Sequence, residues 1–427
     1  MSPDRLVPFR WPSAWQDPAL LSLVAGGPIN CLLLDSAVGA SRIADAARGA
    51  GLTVLEWNSL PAAPLAKIKW DSPAGPNVIT DLAWPRMKMS PKGKPDDAEA
   101  GPTGAPWIDS NSWVARLAAV RAPGKPVWLS FEPEPKESAP EEAGYTIAIA
   151  DSAATGARWI VSLDDSLVKG LPAGNADALK QWRGMMAALS FFEKHRDWRA
   201  WDPWGPLGVL SSFAGKDEYL GQEVLNLGAR RNLLYRVLDR SIPASQKLEG
   251  LRAVLYVDDE PPSSELKARL VAFARSGGLL IVPRAVASQF PGERQQQCPV
   301  AGYELRTFGR GSVAAATRDW DDPFFLAAEV HSLVSRRHDP VRLFNGRSLW
   351  AHYALPANGS AALLQLVSFA GRPNNSVSVA TARPWRSAAM HVIGAETPTV
   401  LEPHKVEGLT EFNLPRFSYY AALEFQA

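Results

Sequence analysis

Short, continuously apolar runs, each followed by a stretch of helical character, recur through the first two-thirds of the chain. Ile29 to Asp35 precedes an Ala-rich helical stretch from Ser41 to Gly51. Thr53-Val54-Leu55-Glu56-Trp57, Asn77 to Leu82, Pro126-Val127-Trp128-Leu129-Ser130-Phe131 and Arg158 to Leu163 repeat the pattern, with helices expected over Ser112–Arg121, Ala139–Thr155 and Ala176–His195. Strands without polar alternation must be buried on both faces, so this rhythm predicts parallel sheets covered by helices. At 427 residues the chain exceeds the roughly 250–300 that one core serves, so several domains are expected.

The rhythm breaks at Trp198-Arg199-Ala200-Trp201-Asp202-Pro203-Trp204-Gly205-Pro206 and then restarts. Strand runs at Leu207–Phe213, Leu233–Leu238, Ala253–Val257 and Leu279–Val282 alternate with helices at Glu218–Arg231 and Ser263–Ser276, the last closed by Gly277-Gly278. From Gly302 short runs separated by turn residues follow, beginning with Val313–Thr317 and ending with Tyr419–Phe425. The expected architecture is α/β: a β/α barrel-like domain over 1–205, a doubly wound domain over 206–300 and an all-β sandwich over 301–427.

Several function classes are excluded or unsupported. Lys plus Arg (45) nearly cancels Asp plus Glu (44), which leaves no overall field for nucleic acid or an anionic membrane. No apolar run approaches the roughly 20 residues of a spanning helix. Two cysteines, Cys31 and Cys298, cannot make a disulfide framework or a Cys-based zinc site. The six histidines are scattered, and no phosphate loop, dinucleotide fingerprint, His-Glu-x-x-His or Gly-x-Ser-x-Gly occurs. No cofactor and no metal is expected. No leader is visible after Met1, which leaves localisation open.

Two features point to chemistry. Of 16 tryptophans, 13 lie before Gly205, and aromatic faces at loop level offer platforms for sugar rings. Trp57, Trp84, Trp107 and Trp128 are the candidates for such a cleft, although Trp128 also reads as core within its strand. Acids also stand at strand C-terminal ends, the edge where parallel α/β sheets place their sites: Glu56, Asp81, Glu132 with Glu134, and Asp164 with Asp165. Glycoside hydrolysis needs two carboxyl groups flanking one bond, and strand-end acids can supply them. Glu132 is expected as general acid with Asp164 or Glu56 as partner, and Asp81, Asp165 and Glu134 as binding residues. Asp165 or Ser166 could instead cap a turn, and both Glu132 and Glu134 could be solvated on a Pro-stiffened exit.

Four stretches of the second half stand out: Leu207-Gly208-Val209-Leu210-Ser211-Ser212-Phe213, Glu223-Val224-Leu225-Asn226-Leu227-Gly228-Ala229-Arg230-Arg231-Asn232, Arg275-Ser276-Gly277-Gly278-Leu279-Leu280-Ile281-Val282 and Thr410-Glu411-Phe412-Asn413-Leu414-Pro415 with Tyr419-Tyr420-Ala421. On these residues the second half of the chain resembles beta-galactosidases with a trimerisation domain. It implies a barrel, an amidotransferase-like domain that serves oligomer contacts, a β-sandwich and a carbohydrate substrate. The Asn-Glu pair such barrels carry does not occur before residue 205, so no family site is transferred residue by residue. The other reading is a non-catalytic carbohydrate-binding or scaffold protein with a degenerate barrel.

Overall fold

The apolar runs form strands, and the computed structural model describes residues 3–35, 40–70, 75–88, 107–133, 144–334, 339–346, 348–370 and 372–427. The first unit holds β1 (Pro8–Arg10), β2 (Cys31–Leu34), α1 (Ala40–Gly49), β3 (Thr53–Glu56), β4 (Ala62–Pro64) and β5 (Asn77–Thr80). It continues with β6 (Arg86–Lys88), β7 (Trp107–Asp109), α2 (Ser112–Arg121), β8 (Val127–Ser130), α3 (Gly144–Ala153), β9 (Arg158–Ile160), α4 (Asp165–Gly170) and α5 (Ala176–Lys194). Two parallel sheets, β1-β2-β3 and β4-β5-β8-β9, meet where Phe9 bridges Val161 and Arg10 N donates to Val161 O at 2.9 Å.

Strand alternation explains the unbroken apolar runs. Cys31, Leu33, Val78, Trp128 and Ile160 form one buried cluster, while Leu32, Leu34, Ile79, Leu129 and Trp159 belong to the large core that includes the helices. Burial pushes the Cys31 thiol up to about 12, so it serves as a small apolar filler. Of the long excursion from Ala83 to Asn111, β6 and β7 pair antiparallel with each other alone, and residues 89–106 lie outside the described residues.

The chain next forms β10 (Asp202–Pro203), β11 (Leu207–Ser211), α6 (Glu218–Arg230), β12 (Tyr235–Asp239), β13 (Ala253–Tyr256), α7 (Ser264–Arg275) and β14 (Leu279–Val282). Then come β15 (Arg294–Gln296), β16 (Tyr303–Phe308) and β17 (Gly311–Ala316). Their sheet runs β12-β11-β13-β14-β17-β16-β15, parallel through β17 and antiparallel beyond it. Ser263 Oγ accepts from Leu266 N to start α7. Gly277, at φ +119°, ends it, with Gly278 N donating back to Phe273 O at 3.1 Å. Val313–Thr317, expected to open the third region, is instead largely β17. It pairs with β14, and its Val313 and Ala315 share a core cluster with Leu270 and Ala274 of α7, so the expected boundary at 300 cuts through this sheet.

The remainder comprises α8 (Pro323–Val334), β18 (Val341–Phe344), β19 (Leu349–Leu355), β20 (Ala361–Ser368), β21 (Ser378–Thr381) and β22 (Ser387–Val392). It ends with β23 (Thr399–Leu401), β24 (His404–Val406), β25 (Leu409–Asn413) and β26 (Tyr420–Gln426). Two antiparallel sheets, β18-β21-β25-β24 and β10-β19-β20-β26-β22-β23, share a core of residues such as Tyr353, Leu364, Phe412 and Phe425. The opposite face of the larger sheet, with Trp350, Leu363, Val367 and Tyr420, joins the core of the first unit. β10, which leaves that unit, is an edge strand of this sheet, with Asp202 opposite Leu355.

Candidate functional site

At the C-terminal ends of the parallel strands one guanidinium gathers two carboxylates. Arg10 closes β1, with Phe9 turned into the outer core, so alternation carries the Arg10 side chain to the other face. Its Nη2 lies 3.0 Å from Asp35 Oδ1, just past β2, and its Nη1 is ion-paired with Glu132 Oε1, two residues past β8. The guanidinium also lies 4.3 Å from the ring centroid of Trp57, which follows β3. The side chains are 17% exposed for Arg10, 37% for Asp35 and 56% for Glu132, so the carboxylates open outward from a largely covered cation.

The other expected site residues fall elsewhere. Glu56 is exposed and follows Val54 onto the outer side of β3, opposite Leu55. Asp81 is exposed and takes the left-handed conformation, φ 61°, as a turn residue. Asp164 has a structural role: Oδ1 accepts from Ser166 N and Leu167 N at 2.8 and 3.2 Å, and Oδ2 from Tyr145 Oη at 3.1 Å. It is therefore the N-cap of α4. Asp165, within that helix, pairs with Lys169 at 3.3 Å on the exposed side. Glu134 lies outside the described residues.

Only one of the four tryptophans stands at this cluster. Trp84 is buried and meets Phe131, Tyr145 and Trp159 edge-on, with centroids 5.6, 4.9 and 5.6 Å away. Trp128 is fully buried in the cluster with Leu33 and Val78. Both are packing residues, since a large ring gains more from burial than from a sugar face at the rim. Trp107 is half-buried, its Nε1 donating to Asp109 Oδ1 at 3.1 Å and Arg230 lying 4.8 Å from its ring.

Sequence reasoning missed Arg10 and Asp35. Asp35 ends an apolar run in the same manner as Glu56, so the strand-end rule would have found it. Arg10 had no such signal, because the three-residue β1 is too short for periodicity. Among the described residues no group of three or more His, Cys, Asp or Glu could hold a metal ion. Among them, too, no helix is long and apolar enough to cross a membrane.

Comparison with known proteins places the fold. The chain is similar to alpha-L-fucosidase isoenzyme 2 from Paenibacillus thiaminolyticus. The TM-score is 0.51 at 11% identity, over 96% of this chain and 80% of that one. The likeness is one of fold alone. A rhamnosidase from Novosphingobium sp. PP1Y (TM-score 0.48, 10% identity, 90% of this chain and 38% of that one) also matches. So does a beta-galactosidase from Bacillus circulans sp. alkalophilus (0.47, 10%, 88% and 66%). At those two scores neither carries an argument. No protein-family model and no curated sequence matches the chain.

Proposed function

We propose that this chain is a glycoside-hydrolase-like protein that engages a carbohydrate at Arg10, Asp35, Trp57 and Glu132. The observation that carries the reading is the pair of strand-end carboxylates, Asp35 and Glu132, bridged by the two terminal nitrogens of Arg10 beside the Trp57 ring. Two carboxyl groups flanking one bond are what glycoside hydrolysis requires, and their separation sets retention or inversion. In this reading Glu132, the more exposed, takes up a proton from solvent once its contact with Arg10 opens and then donates it to the leaving oxygen. Asp35, still held by Arg10, serves as nucleophile or as base for water. The fold likeness to a fucosidase supports the class, and the expected barrel, amidotransferase-like and sandwich domains belong to the same proposal.

One observation favours the second reading, a non-catalytic carbohydrate binder. The Arg10 guanidinium already pairs with both carboxylates, and such a clamp suits hydrogen bonding to sugar hydroxyls better than proton transfer. Titration against a panel of oligosaccharides, following Trp fluorescence and reducing-end release together, decides between the two. Release abolished by both Glu132→Gln and Asp35→Asn supports the enzyme. A fluorescence change without release supports the binder, and no response to any saccharide removes both.

A further inference from the structure

At the opposite, N-terminal ends of β8 and β9 a cavity of about 530 Å³ opens between the first unit and the outer face of β19 and β20. That is a volume in the range of small-molecule sites, roughly 300–1,000 Å³. Six Arg or Lys side chains line it against one carboxylate, Asp4. Arg158 and Arg199 share a further one, Glu193, whose Oε1 accepts from them at 2.6 and 2.9 Å.

Arg116 is the anomaly. Its Nη1 donates to Tyr235 O at 3.1 Å, its Nη2 meets His352 Nδ1 at 2.6 Å, and its guanidinium lies 4.9 Å from the centre of the Tyr235 ring. Every one of these partners is neutral, and among the described residues no carboxylate pairs with it. A guanidinium withdrawn from water normally keeps a counter-anion, because desolvating it alone is costly. His352, 3% exposed, is held neutral by burial first and by Arg116 second. Since Arg116 can only donate, Nδ1 accepts and the His352 proton sits on Nε2, a buried atom without a partner.

We propose that this cavity binds a sugar-sized oxyanion, a phosphate ester or a uronate, whose anionic group supplies the charge that Arg116 lacks. The ring of Arg5, Arg158, Arg196 and Arg199 draws the anion in, and Arg116 at the inner wall fixes it. This inference is independent of the strand-end site, which lies at the other end of the same strands.

Calorimetric titration of the full chain with inorganic phosphate, glucose 6-phosphate and glucuronate, with glucose as the neutral control, tests it. At least one anion is expected to bind, with affinity falling as salt rises, while glucose does not. Phosphate with glucose 6-phosphate would identify a phosphate site, and glucuronate alone a carboxylate site. Arg116→Gln should weaken binding roughly 10-fold, the value of a charged hydrogen bond. Arg5→Ser with Arg196→Ser, both exposed and remote from the core, should weaken it several-fold with the fold intact, and decides the matter if Arg116→Gln does not fold. Anion binding no tighter than glucose, or unchanged in the rim variant, overturns the proposal.

Discussion

Arg121, at the end of α2, reaches across to the second unit and meets Asp239, at the end of β12, with Nε 2.9 Å from Oδ2. Asp239 has no solvent exposure and Arg121 only 14%, so this is a buried bridge between units. Its Nη2 also donates to Ser212 O at 2.9 Å.

Arg121→Met leaves Asp239 buried without its cation, and should cost about 3 kcal/mol in urea denaturation. The double variant with Asp239→Asn should cost less than the two singles added, because no unpaired charge is then left buried. A loss below about 1 kcal/mol in the single variant would show that the bridge does not couple the units.

Trp128 fills the space among Leu33, Val78 and Ile160, yet its Nε1 is buried without a partner. Trp128→Phe removes an unsatisfied donor along with some volume, so it should change stability by less than about 1.5 kcal/mol. Trp128→Ala should cost about 3–5 kcal/mol by leaving a void. Equal losses in thermal unfolding would contradict this account of the interior.

Asp151, fully buried in the last turn of α3, accepts from Ser110 Oγ at 2.5 Å and Asn111 N at 2.8 Å. Burial outweighs those bonds and pushes its carboxyl up to about 6. The folded protein therefore holds this proton more tightly than the unfolded chain. The stability so gained is complete below about pH 4 and is lost as pH rises to about 6, by roughly 2–3 kcal/mol. Denaturation of the wild type and Asp151→Asn at several pH values should show the wild type losing ground across that window. Parallel pH profiles would refute it.

His391 behaves in the opposite sense. Burial, the neighbouring His195 ring at 4.8 Å and Lys194 lower it to about 4. Its contribution is present above about pH 6.5 and disappears as pH falls toward 4. His391→Gln should flatten the acid limb of the stability curve, while the alkaline limb stays unchanged.

Much of the secondary structure was legible because burial on both faces leaves a plain apolar signature, as at Leu279–Val282 and Val127–Ser130. What remained hidden was tertiary. Glu132 and Asp35 both stand after a strand, but the Arg10 that joins them could not be selected, since it is brought to them by pairing across β1, β2 and β9. Asp164 shows the converse: cap and strand-end acid look identical until α4 is seen to use one carboxylate oxygen and Tyr145 the other. Trp84 reads equally as platform or core, whereas Trp128 in its strand already leans to core, and packing buries both. The strand Gly311–Ala316 carries Ala where a central strand usually carries Val or Ile, so nothing local tied it to the second sheet.

The pairing of Pro203 with Ala354 has a consequence for how the chain is made. A ribosome delivers β10 about 150 residues before its partner β19, a wait of roughly 10–30 s at ordinary elongation rates. During that interval the outer faces of α3 and α5 lack the sheet that covers them, and the second sheet must assemble in between. A nascent chain stalled there displays apolar surface that the finished protein never shows, and that interval is when it most needs a chaperone.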